Sequence, residues 1–173
     1  MKRVILASII AGLLSGCAST IGYNFSVGSE ESVTEGITYK YDEFQKQGWL
    51  STESYLSDGG GLYTSVTYNY RALYENNKIS FIQIYGRMGS EGWCFLDEAF
   101  DEQGNEMRFS QIDRDVLTGG RVFEYFGLTI SKEKLGLLAK NNSSFKAVGS
   151  KCNVIFTVDK RVSGAFLDSI NNR

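Results

Sequence analysis

The chain has 173 residues, a net charge of −2 and 22% charged residues, and its length suits one ordinary domain with a core of its own. It contains no histidine, and this excludes the usual general base, the serine and cysteine triads that depend on it, and most catalytic zinc sites. A mildly acidic chain also argues against nucleic acid or anionic lipid as a partner.

The first sixteen residues have the three parts of a secretory signal in the right order. Lys2 and Arg3 form a cationic start, an apolar run follows over residues 4–14, and small residues come next. The run is too short for a bilayer core of about 30 Å, so it is typical of an export segment and not of a transmembrane helix. We therefore expect residues 1–16 to be a signal peptide that is absent from the mature protein.

The small residues end on a cysteine, and Leu14-Ser15-Gly16-Cys17 resembles the lipobox of bacterial lipoproteins. The resemblance covers only about the first 20 residues. It implies cleavage before Cys17, a diacylglyceryl group on the Cys17 sulfur and, because Ala18 and not Asp follows, transfer to the outer membrane. Several acyl chains make a stable anchor, since each buried methylene contributes about 0.8 kcal/mol. We expect a lipoprotein of the bacterial cell envelope whose domain faces the periplasm.

The mature chain divides into a tether and one domain. Residues 17–36 are small and polar and follow no period, which predicts a lipidated N-terminus and flexible tether. Residues 37–173 then form a single β-rich globular domain. At its start, Ile37, Tyr41 and Phe44 recur at helical spacing, which predicts a short amphipathic helix over 38–47.

Alternation of apolar and polar residues predicts an α+β fold, with a mainly antiparallel β-sheet or β-sandwich core of about seven strands and two to three short packing helices. Residues 79–85 are apolar on both faces, so we expect this strand to sit centrally with both sides covered. Ser131 and Asp159 are good N-caps for the two later helices. The predicted strands are 62–74, 79–85, 92–100, 107–112, 121–130, 145–148 and 152–158.

Two cysteines remain in the domain, Cys94 and Cys152. Export places them in an oxidising compartment, and both are assigned to inward positions of strands. We therefore predict a disulfide between them.

A cluster of carboxylates surrounds one predicted loop and could ligate calcium, because hard cations bind several oxygens at close spacing. The order of the residues does not match the twelve-residue calcium loop, so a solvated acidic turn is the favoured interpretation, and we predict no metal or cofactor. The cluster consists of Asp97, Glu98, Asp101, Glu102, Asn105 and Glu106.

Glu124 stands on the apolar face of the strand predicted at 121–130. A lone carboxylate is costly there unless an arginine pairs with it or the face opens into a pocket. We favour an edge position or a bulge that turns Glu124 outward. The alternative is a catalytic acid in a glycosidase-like pair with Glu98 or Asp97.

Five tyrosines crowd one segment: Tyr55, Tyr63, Tyr68, Tyr70 and Tyr74. Core packing and strand propensity explain this crowding more readily than function. Tyrosines left outside would nevertheless form a flat platform for a polysaccharide or a protein. The candidate binding residues are Tyr63, Tyr68, Tyr70, Tyr74 and Glu124.

With so little acid–base chemistry available, we expect a non-catalytic domain that binds an envelope protein or a glycan. Tethering to the membrane raises the effective concentration of fixed partners, so weak contacts suffice. The alternative is a carboxylate-dependent glycan hydrolase that uses Glu124 and the acids around Asp97.

Overall fold

A computed structural model describes residues 23–24, 26–59, 64–117 and 119–173. The predicted signal peptide, the lipidation site Cys17 and the candidate binding residue Tyr63 lie outside the described residues.

The described residues form a β-rich α+β fold with eleven strands and three short helices, and all strand pairs but one are antiparallel. No described helix has the length and apolarity needed to cross a membrane. The elements are β1 (Tyr23–Asn24), α1 (Glu30–Glu35), β2 (Thr38–Asp42), β3 (Gln47–Ser51), β4 (Ser54–Leu56), β5 (Ser65–Glu75), β6 (Lys78–Ser90), β7 (Leu96–Asp101), β8 (Arg108–Val116), β9 (Val122–Ile130), α2 (Lys132–Leu138), β10 (Ser143–Gly149), β11 (Asn153–Val158) and α3 (Lys160–Asn171).

The seven predicted strands correspond to β5–β11, so the predicted number is too low because β1–β4 were missed. The helix predicted over 38–47 is wrong, since β2 and β3 form an antiparallel hairpin there. Asp42 closes its turn by accepting hydrogen bonds from the N–H groups of Phe44 (2.8 Å) and Gln45 (3.0 Å). Phe44 lies at the tip of this hairpin and is 99% exposed, so the helical spacing of Ile37, Tyr41 and Phe44 did not reflect a buried face.

The last part of the segment predicted as a tether forms α1, which packs on the domain. Ser29 caps α1 by accepting a hydrogen bond from the Ser32 N–H, and α1 packs against α3 with Val33 only 1% exposed. Arg161 of α3 donates a further hydrogen bond to the Gly28 carbonyl at 2.8 Å. A single buried valine in a polar segment creates no period, but it is enough to join this segment to the folded domain.

The strands form two sheets. The larger has the order β1-β4-β5-β6-β9-β8, with β3 also pairing to β5 and β2 pairing to β3; the smaller has the order β11-β10-β7. The aromatic rings of Phe126 and Phe156 join the two sheets, with centroids 5.6 Å apart. As predicted, β6 is central, between β5 and β9, but only one of its sides is fully covered, since Phe81 and Tyr85 on the other side are half-buried.

The inner face of the large sheet builds the core together with α3. Tyr70 of β5 is fully buried, stacks on Phe166 at 5.5 Å and shares a 2.8 Å hydrogen bond between its hydroxyl and that of Ser163. Asp159 caps α3 as predicted, by accepting from the Arg161 N–H. Because side chains alternate along a strand, the odd-numbered residues 65–73 of β5 point away from this core.

The predicted disulfide is confirmed: Cys94 and Cys152 are bonded, with Cα atoms 4.9 Å apart. It ties the segment before β7 to the segment before β11. Neither cysteine lies inside a strand, because β7 begins only at Leu96, after Phe95 has taken a positive φ of 57°.

Candidate functional site

Glu124 is buried, at 1% exposure, and the expectation that it turns outward is wrong. One carboxylate oxygen, Oε1, accepts from the N–H groups of Cys94 (2.7 Å) and Phe95 (3.0 Å). The other, Oε2, accepts from the N–H of Leu96 (2.9 Å) and pairs with Arg114 Nε at 3.3 Å. Glu124 therefore holds the segment that precedes β7, and both of its oxygens are engaged in structural bonds.

The acidic loop after β7 is organised around Asp101, which is only 8% exposed, whereas the other five residues of the cluster are exposed to solvent. Asp101 Oδ1 accepts from the N–H groups of Gln103 (3.0 Å) and Asn105 (2.9 Å), and Oδ2 pairs with Lys134 Nζ at 2.8 Å. Burial alone would raise the pKa of Asp101, but hydrogen bonds from Lys134 and Asn105 lower it to about 2. Among the described residues, no group of three acidic or cysteine side chains is placed to hold a metal ion.

The four described tyrosines of the crowded segment lie in the core, which was the favoured interpretation, and they do not form the alternative platform. Tyr55, Tyr68, Tyr70 and Tyr74 are all core residues with exposures of 6% or less. Tyr68, Tyr70 and Tyr74 are the even-numbered tyrosines of β5, so they lie on the inner face of the large sheet, where α3 and the small sheet cover them. Burial raises the pKa of both Tyr68 and Tyr70, which keeps these hydroxyls protonated as hydrogen-bonding groups of the core.

The opposite side of the large sheet, which we call the outer face, carries a different aromatic layer. It consists of the outward-pointing side chains of β3, β5, β6 and β9, and its rings and guanidinium groups are half-buried, in contrast to the fully buried rings of the inner face. The layer comprises Trp49, Arg71, Phe81, Tyr85, Arg87, Phe123 and Tyr125.

One half of the outer face is centred on Arg71. Its guanidinium carbon lies 4.2 Å from the ring centroid of Tyr85 and 5.0 Å from that of Trp49. Its Nε and Nη2 atoms donate to Gln83 Oε1 at 2.9 Å and 2.6 Å, and the Gln83 side chain fits over β9 because Gly127, diagonally across from it, has no side chain. Burial lowers the pKa of Arg71, so this cation is partly desolvated.

The other half continues across β6 to β9. The guanidinium of Arg87 lies 4.6 Å from the Phe123 ring centroid, and Tyr125 lies 6.2 Å from Tyr85 and 6.5 Å from Phe123. Arg121 extends the row by donating to the Ser65 hydroxyl at 3.1 Å. Three neighbouring rings, Tyr85, Tyr125 and Phe123, therefore have guanidinium groups packed at both ends.

A shallow depression of about 120 Å³ opens on this face between β5 and β9. Hydroxyl, amide and guanidinium groups surround it: Ser54, Thr67, Asn69, Tyr85, Arg87 and Tyr125. Such a surface can stack a planar or saturated ring on its aromatic groups and donate hydrogen bonds to acceptors at the rim, and none of the described residues that line it is a carboxylate.

No protein-family model matches the chain, and comparison with curated proteins and with solved structures finds no match either. Its function therefore has to be inferred from the chemistry of its own side chains.

The sequence pattern alone did not single out the outer face. In β5 the polar members of the alternation include Arg71, which looked like an ordinary solvent position, and in β6 the rings of Phe81 and Tyr85 were expected to be covered. The available signal was the aromatic residues Phe123 and Tyr125 at the odd positions of β9, opposite the apolar set at even positions. An aromatic residue at a solvent-facing strand position is the feature that would have pointed to this surface.

Proposed function

We propose that the protein is a non-catalytic lipoprotein of the bacterial cell envelope, anchored in the outer membrane through Cys17, whose β-rich domain faces the periplasm and binds a glycan or protein of the envelope. The anchor rests on the lipobox resemblance of Leu14-Ser15-Gly16-Cys17. The binding surface that we propose is the outer face of the large sheet.

The observation that carries the proposal is the composition of the outer face. A solvated sheet face that serves only solubility is polar, whereas Trp49, Tyr85, Phe123 and Tyr125 are half-buried here and alternate with arginines. Tyrosine, tryptophan and arginine are the residues enriched in binding interfaces, because each combines apolar area with a polar group.

The environment of Glu124 supports a function without catalysis. Its carboxylate oxygens accept from three backbone N–H groups and from Arg114, so the group that the hydrolase alternative requires is committed to the fold. Asp101, the buried acid of the carboxylate cluster after β7, is similarly bonded to Lys134. We therefore retain the binding function and do not propose the hydrolase.

The anchor can be tested by fractionation. Full-length protein should be found in outer membranes, the Cys17→Ala variant should be released as soluble periplasmic protein, and Ala18→Asp should redirect the protein to the inner membrane, as the lipobox resemblance implies. Recovery of the Cys17→Ala variant in membranes after a high-salt wash would contradict the anchor.

The binding surface can be tested by retention of envelope components on purified protein. Tyr85→Ser combined with Tyr125→Ser should abolish retention, because these changes remove two adjacent rings of the outer face. Tyr41→Ser is the matched control, since Tyr41 is a 46% exposed tyrosine of β2 that lies outside this layer. Equal loss in both variants, or no loss in either, would contradict the proposal.

A further inference from the structure

Resting on the proposed function, we infer that the outer face binds an anionic glycan, a polysaccharide that carries carboxylate or phosphate groups. The sugar rings would stack on Trp49, Tyr85 and Tyr125, and the anionic groups would meet the guanidinium groups of Arg71 and Arg121.

The first reason is that these cations are not neutralised by the described part of the chain. Neither Arg71 nor Arg121 forms an ion pair with a carboxylate of the described residues. Arg71 instead donates to the neutral amide oxygen of Gln83, and Arg121 donates to the neutral hydroxyl of Ser65. Arg71 is half-buried, and a half-buried cation without a counter-ion is unfavourable, so an anionic ligand would relieve that cost; Arg121 is exposed and is free to turn toward the ligand.

The second reason is the distribution of charge over the outer face. The described outward positions of β5 between 65 and 73, of β6 between 81 and 89, and of β9 between 123 and 129 hold no acidic side chain, although the chain as a whole has 20 acidic and 18 basic residues. Acids on this side lie toward its margins: Asp113 and Asp115 on the edge strand β8, opposite Tyr125 and Phe123, and Glu75 at the end of β5. The centre of the face is therefore complementary to negative charge.

The third reason distinguishes a glycan from an acidic peptide. Strands β5, β6 and β9 are paired on both sides, so their backbone groups are already used. An extended peptide that binds by strand addition needs an unpaired edge. Only side chains are offered here, and rings interleaved with the half-exposed amide of Asn69 and hydroxyl of Ser54 suit the apolar faces and hydroxyl rims of sugars.

The test is calorimetric titration of the full-length protein, in detergent micelles, with an oligogalacturonate of defined length. Its methyl ester is the matched neutral probe, because esterification removes the charge and keeps the sugar ring, and polyglutamate is the matched acidic peptide. We expect the acid form to bind at least about tenfold more tightly than the ester, and to weaken as salt is raised.

Arg71→Gln should weaken binding of the oligogalacturonate by about tenfold, the effect of losing one hydrogen bond to a charged group. Arg121→Gln, which changes an exposed residue, should do the same and keeps the test valid if Arg71→Gln fails to fold. Lys146→Gln, at an exposed position of β10 in the small sheet, removes the same charge elsewhere and should leave binding unchanged.

Three results would overturn the assignment to an anionic glycan: no binding of oligogalacturonate, equal binding of its methyl ester, or equal binding of polyglutamate. None of them would by itself overturn the proposed function. That function is tested separately, by whether the protein with Tyr85→Ser and Tyr125→Ser still retains envelope components. If retention also survived the loss of both tyrosines, the outer face would be excluded as the binding surface.

Discussion

Replacing Glu124 with glutamine should strongly destabilise the domain, although the two side chains have nearly the same shape. One amide oxygen can still accept from the N–H groups of Cys94 and Phe95, but the amide nitrogen then faces the N–H of Leu96 and the guanidinium of Arg114, which are both donors. Removing one partner of a buried charged group costs about 3–5 kcal/mol. That is a large share of the roughly 5–15 kcal/mol that stabilises a typical domain.

The assay is urea unfolding followed by circular dichroism, with the Cys17→Ala background used to avoid the lipid. Glu124→Gln should lower the free energy of unfolding by about 3–5 kcal/mol and the melting temperature by about 10 °C. Glu98→Gln is the matched control, because Glu98 is an exposed acid of β7, and it should change the free energy of unfolding by less than about 0.5 kcal/mol. A loss below about 1 kcal/mol at position 124 would refute the structural role, and a folded variant that had lost a hydrolytic activity would support catalysis instead.

Three further outcomes are expected. Burial alone would raise the pKa of Asp101, but hydrogen bonds, chiefly from Lys134, lower it to about 2. This shift contributes stability that is fully present above the unfolded pKa of about 4 and is lost as the pH falls toward 2. Lys134→Gln should therefore move the midpoint of acid unfolding to higher pH, and an unchanged midpoint would contradict this ion pair. Replacing both Cys94 and Cys152 by alanine should lower the free energy of unfolding by about 4 kcal/mol, which is the chain-entropy value for a disulfide between residues 58 apart. A loss below about 1 kcal/mol in urea unfolding would show that other contacts already restrain this loop. Phe44→Ser should change the free energy of unfolding by less than about 0.5 kcal/mol, because the ring is 99% exposed, and a larger loss would mean that it packs against the domain.

Local patterns predicted the elements whose own sequence determines their burial. In β5 every second residue is apolar, in α3 the cap Asp159 precedes an apolar stripe, and in β9 the even positions are apolar apart from Glu124, so period and capping were enough. The β2–β3 hairpin was missed because its turn depends on Asp42 and on the positive φ of Lys46, neither of which has a glycine or proline signal.

The role of Glu124 could not be predicted because its partners are distant in the chain. The backbone donors at 94–96 are about 30 residues away and lie in an irregular segment, and Arg114 reaches it only through the register of β8 against β9. The outer face depends on register in the same way, since Arg71 and Tyr85 meet only when β5 and β6 are aligned. Sequence patterns give the face on which a side chain lies, but not its neighbour on the next strand.

The central claim, that the outer face of an envelope-anchored domain contacts a partner, is tested most directly by photo-crosslinking in intact cells. A photoreactive residue at Tyr125 should form an adduct with an envelope component, and the same residue at Lys146, on the small sheet, should form none. The position-125 adduct should disappear in the Cys17→Ala protein if anchoring supplies the effective concentration. Equal adducts at both positions, or none at position 125, would contradict the claim.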